Sequence, residues 1–182
     1  MDSQNILLDI FKYFTKFVGR NGILRNFSTG QGAEYVALKE FCQALPENGT
    51  IPIIDDYVFG VNEESVEKRI KNIKGIYLFV DYGNFQTSEN ELHVKTDELH
   101  LAVTVAKPLN IQTVDLIGEV LLADTLLNIV RTIRTQMLND RCCFVKRLTF
   151  PSEITPWYAR ELQNSTGWTI IFKLKGIDIL TQ

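Results

Sequence analysis

Two histidines, three cysteines and a scatter of carboxylates are the residues of this chain that could do chemistry. His93 and His100 stand seven residues apart. On one continuous strand their rings would face opposite sides. Without clustered cysteines or carboxylates the pair falls short of a zinc site, and both read as ordinary strand histidines. Cys142 and Cys143 are adjacent, so they could hold a soft metal or react; a role as small buried apolar side chains is the better expectation. The odd count, with Cys42 as the third, argues against a disulfide framework and for a reduced, cytoplasmic setting. Asp55, Asp56, Glu63, Glu64 and Asp81 form a loose acidic collection. Acid–base pairs need environments that drive their pKa values apart, and no spacing here gathers these five on one face. Glu63 and Glu64 fit the acidic first turn of a helix, and the group is expected to be solvated.

The common catalytic signatures are missing. There is no Walker loop, GxGxxG, GxSxG or HExxH, and the glycines of "STGQG" are followed by no lysine. The expectation is a protein that is not an enzyme, with no cofactor and no metal. Net charge of −3 and a pI near 5.5 argue against a general nucleic-acid binder. No apolar run reaches membrane length, because Gly118, Glu119, Asp124 and Asn128 interrupt Leu116–Val130. The acidic start "MDSQNILLDIF" has no basic leader region, so no signal peptide is expected.

The elements that must position any site follow from periodicity. Ile6, Leu7, Ile10, Phe11, Phe14, Phe17 and Val18 recur at helical spacing, with Ser3 as cap and Gly19 as stop. "RNGILRNFSTGQG" reads as loop. A second helix fits Ala33 to Leu45, with Tyr35, Leu38, Cys42 and Leu45 in one stripe. A short extended piece precedes a third, charged helix after Asn62, whose inner face is Val66, Ile70 and Ile73. The period then drops to two: "GIYLFVDYG" reads as a strand, "NFQTSEN" as a turn, "ELHVKT" and "ELHLAVTVAKP" as two further strands. Thr113 or Asp115 caps a long helix to about Leu138, with Leu116, Val120, Leu127, Val130, Ile133 and Met137 in line. "RCCFVKRLTF" is a strand closed by Pro151. A loop of about a dozen residues follows, and "WTIIFKLKGI" is the last strand. The order is α-α-α-β-β-β-α-β-β. It predicts one α+β domain over residues 1–182, an antiparallel sheet packed against a long helix and an N-terminal helix. Residues 22–64 form a possible inserted helical and loop region.

Both tryptophans flank the predicted loop. Alternation puts Trp168, Ile170, Phe172 and Leu174 on one core face. Trp157 and Tyr158 are either folded back as a lid on the sheet or exposed as an anchor for a partner. Five basic residues, Arg131, Arg134, Arg141, Lys146 and Arg147, stand against Asp140 alone. They suit a head-to-tail contact with an acidic surface or a helix C-terminus answering its dipole.

The order of elements and "ITPWYARELQNSTGWTIIFKLKG" resemble the tail-terminator or tail-completion proteins of tailed bacteriophages. The motif is a threonine–proline–aromatic turn (Thr155, Pro156, Trp157), a short polar loop, and a glycine–tryptophan pair (Gly167, Trp168) leading into the final strand. The likeness covers Gly75 to Ile179, more loosely the N-terminal helix, and leaves residues 22–64 outside. It implies a structural virion protein without catalysis, assembled in the bacterial cytoplasm as a ring, commonly a hexamer. Such a ring caps the tail tube and docks the head connector, and no membrane is involved. DNA passes through its lumen without sequence recognition, which an acidic protein suits, since affinity for DNA comes largely from phosphate contacts. Interface candidates are Trp157, Tyr158, Arg131, Arg134 and Phe14. The alternative is a non-catalytic adaptor or baseplate-type component of a phage or contractile-injection device.

Overall fold

The computed structural model describes residues 5–61, 63–89, 91, 93–109, 114–140 and 148–177. Three N-terminal helices, α1 (Ile6–Thr15), α2 (Arg20–Leu24) and α3 (Ala33–Gln43), precede β1 (Ile54–Phe59) and α4 (Glu63–Ile70). A long hairpin follows, β2 (Ile76–Glu89) and β3 (Lys95–Lys107); then come α5 (Leu116–Asn139), β4 (Leu148–Ala159) and β5 (Ser165–Ile177). The five strands form one sheet in the order β1-β2-β3-β5-β4, with β1 parallel to β2 and the other pairs antiparallel. The protein is therefore α+β.

Strand alternation sorts the side chains onto two faces. On one, Leu99, Leu101 and Val103 of β3 stand opposite Leu174, Phe172 and Ile170 of β5. These join Ile10, Phe11 and Phe14 of α1 and Leu126, Ile129, Val130, Ile133 and Met137 of α5 in the main core. On the other face α4 covers a smaller cluster, where Val66 and Ile70 meet Val58, Tyr77 and Ala106. Trp168 completes the α5 side as its alternation predicts, and its indole N–H donates to the carbonyl of Ala123 at 2.9 Å. Asp115 caps α5 by accepting from the backbone N–H of Gly118 at 2.7 Å. The other proposed cap, Thr113, lies outside the described residues, as do Ser3 and Asn62.

Four expectations change. The predicted loop after Gly19 contains α2, whose Ile23 is fully buried. A short helix fits there because Gly22 has no side chain: a Cβ would lie 2.0 Å from the carbonyl oxygen of Asp55. The predicted turn at 84–90 is mostly strand, since β2 runs to Glu89, with a bulge between Tyr82 and Phe85. The two short strands predicted after it are one, β3; His93 sits before it with φ of 58°. The dozen-residue loop is instead the end of β4, a tight turn and β5. That turn places Gln163 and Asn164 in the left-handed region at φ of 57° and 51°, which asparagine tolerates well. Pro151 and Pro156 lie within β4 because β4 is an edge strand, where a missing N–H breaks few ladder bonds. Of the strand predicted over residues 141–150, residues 148–150 open β4, and residues 141–147, with Cys142 and Cys143, lie outside the described residues.

Candidate functional site

Among the described residues the histidines, Cys42 and the acids do not converge on one site. His93 Nδ1 meets Glu89 at 2.5 Å, whereas His100 Nε2 meets Glu98 at 2.7 Å on β3. Among the described residues no three His, Cys, Asp or Glu side chains group closely enough to hold a metal ion, and no helix is long and apolar enough to cross a membrane. Cys42 is buried without a disulfide, and burial pushes its thiol up to about 11.

The acids depart from the solvated expectation at two places. Asp56 is 4% exposed and binds the Arg25 guanidinium at 2.5 Å; β1 shifts register between Ile54 and Asp56, and Asp56 lies inside while Asp55 stays out. Asp81 is half-buried, one carboxylate oxygen has no hydrogen-bond partner, and burial raises its pKa.

Glu98 has the opposite character. Lys173 and Lys175, one on each carboxylate oxygen at 2.8 and 2.9 Å, and then His100, hold its carboxyl down at about 2 instead of the ordinary 4.5. A carboxyl depressed by folding stabilises the folded state above its unfolded pKa, and that contribution disappears as pH falls through its folded value. The loss should therefore lie between pH 4.5 and about 2. Both lysine side chains are about half exposed, so the effect on stability is at most about 1 kcal/mol. Changing Lys173→Ala and Lys175→Ala together is expected to move the Glu98 midpoint back towards 4.5 in a carboxyl-carbon NMR titration. A midpoint left at about 2 would mean that the lysines do not set it.

The interface candidates fall in three environments. Phe14 is fully buried in the main core, so it belongs to the interior of the chain and not to its surface. Trp157, paired with Gly167 across β4 and β5, is half-buried against the α4 cluster. Its neighbour Tyr158 turns to the opposite face, 54% exposed, with its hydroxyl donating to Asn164 Oδ1 at 3.3 Å. Arg131 is exposed on α5 and Arg134 half-buried.

The start of α5 carries an exposed apolar surface that includes two residues expected on its inner line, Leu116 and Val120. Leu116, Ile117, Val120 and Leu121 are 73%, 65%, 57% and 64% exposed. At i, i+1, i+4 and i+5 they adjoin on the helix surface. With 3.6 residues per turn, their face is roughly opposite the stripe Leu126, Val130, Ile133 and Met137 that packs on the sheet. Leu116 and Val120 thus leave the predicted inner line. The signal for this was present: α5 carries more apolar residues in its first two turns than one stripe can hold. Arg131 falls on the same outward face about 15 Å further along. That face therefore runs from an apolar patch, through Asp124 and Asn128, to a cation. The chain matches no known family, no curated protein and no solved structure at a significant level.

Proposed function

We propose that the protein is a structural virion subunit of the tail-terminator or neck class, which self-associates into a ring, commonly a hexamer, between tail tube and head connector. The observation that supports this reading most is the outward face of α5. Isolated proteins rarely keep contiguous apolar patches exposed unless something covers them. Covering Leu116, Ile117, Val120 and Leu121 would contribute about 1–2 kcal/mol per residue, enough for a contact reinforced by repetition around a ring. Arg131 at the other end of that face would fix orientation by pairing with an acidic neighbour. In this role DNA passes the ring's lumen without being read, and no residue of the chain turns over a substrate.

The test is native mass by light scattering after size exclusion, over a concentration series. The wild type is expected to reach a discrete species near six times the 20.8 kDa of one chain. Val120→Asp with Leu121→Asp is expected to give a single subunit with unchanged circular dichroism, because both side chains are already exposed. A wild type that stays monomeric at every concentration would favour the alternative, an adaptor or baseplate-type component that docks this face on another protein.

A further inference from the structure

A cleft of about 460 Å³ opens where α2 and α4 flank β1, the strand at the opposite edge of the sheet from β4. Two arginines reach it, and each is held from behind. Arg25 Nη1 binds Asp56 Oδ1 at 2.5 Å, and that carboxylate is buried. Arg69 Nη1 donates to Asn26 Oδ1 at 2.5 Å. The Asn26 amide is itself fixed, its NH₂ donating to the carbonyls of Tyr57 at 2.8 Å and Ile23 at 3.1 Å. A guanidinium has five N–H donors, and each arginine commits one nitrogen to its anchor. Lys68 binds Glu64 at 2.8 Å, while Arg69 makes no ion pair among the described residues. The cleft therefore keeps a net positive charge and a surplus of oriented donors.

We infer that this cleft binds a small phosphorylated ligand, with Arg69 and the uncommitted edge of Arg25 on the phosphate oxygens. Planar guanidinium forks match the tetrahedral oxygens of phosphate and bind them in pairs. Holding both forks by a buried carboxylate and a pinned amide lowers the ordering cost of binding. The volume lies in the usual range for small-ligand sites, about 300–1,000 Å³, and exceeds what one phosphate fills. Val58 and Ile73 line its wall and give that side an apolar character, though both are largely buried. The inference is independent of the assembly reading, because the cleft uses neither α5 nor β4.

Titration of the full chain with inorganic pyrophosphate, followed by two-dimensional NMR and calorimetry, tests it. The expected result is saturable binding with Kd of about 1 mM or tighter, with shifts centred on Arg25, Asn26 and Arg69. Arg69→Gln keeps a donor for Asn26 but removes the charge, and is expected to weaken binding about tenfold or more. Lys95→Gln, exposed on β3 far along the hairpin, is expected to change nothing and controls for general charge. Failure to saturate, equal losses in the two variants, or tighter binding of citrate than of pyrophosphate would each overturn the assignment.

Discussion

Gly167→Ala is expected to cost about 3 kcal/mol of stability, at the upper end of the usual range for overpacking. A Cβ at this position would stand 2.1 Å from the carbonyl oxygen of Val105 and 2.8 Å from Ala106 Cα and Cβ. These are atoms of β3, not the ends of flexible side chains, so the clash cannot be relieved by a rotamer change. Gly167 lies on β5 between its two sheet neighbours, opposite Ala106 on one side and Trp157 on the other. Any shift that relieved the contact would have to part β5 from β3, whose pairing runs from Lys107–Thr166 to Thr96–Ile177. Interior packing is too dense to absorb such a move locally.

The thermal midpoint should fall by roughly 6–12 °C, given about 2–4 °C per kcal/mol for a chain of this size. Gly32→Ala serves as the comparison. Nothing lies within 4 Å of a Cβ there and its φ is −63°, so a change of no more than about 0.5 kcal/mol, in either direction, is expected. Urea denaturation of the two variants side by side reads the difference. Equal stabilities would mean that β3 and β5 approach less closely at Gly167 than described. The glycine–tryptophan pair thus has a structural reason of its own, since the glycine admits the neighbouring strand and the tryptophan fills the gap beneath α5.

Periodicity made part of this visible in advance. The inner faces of α1 and α4 and the alternation from Trp168 to Leu174 were legible because each buries one regular stripe. β4 was not, since two prolines and a polar run look like loop unless the strand is known to be an edge, which only topology decides. The end of β2 was hidden for a related reason: Gln86–Glu89 are polar and exposed, and backbone pairing with β3 holds them as strand. α5 was read with one apolar face when it has two. Contacts between Arg25 and Asp56, 31 residues apart, and between Arg69 and Asn26, 43 apart, have no local signature. They exist because β1 brings α2 and α4 to the same sheet edge. Residue type alone predicts solvated acids, whereas the register shift of β1 between Ile54 and Asp56 has no signature in the sequence and leaves Asp56 inside.

Phe14→Ala is expected to destabilise the single subunit by about 3–5 kcal/mol, lowering the midpoint by roughly 6–20 °C. The ring is fully buried. It packs edge-on to Tyr13 at 5.1 Å between centroids and tilted against Phe17 at 6.0 Å. Nearby, Tyr57 donates its hydroxyl to the Phe11 carbonyl at 3.2 Å, which ties β1 to α1. Removing the ring leaves a cavity that this aromatic group fills from several elements at once, so collapse around it is limited. The experiment also separates two roles for the aromatic face of α1. Were Phe14 an interface residue, its removal would lower native mass and leave the melting of the isolated subunit unchanged. As a core residue it must lower that melting in the Val120→Asp, Leu121→Asp background as well, where the proposed assembly through α5 would be blocked. Loss of mass without loss of subunit stability would place α1 at the interface and require a different packing of Ile10, Phe11 and Phe14 against the sheet.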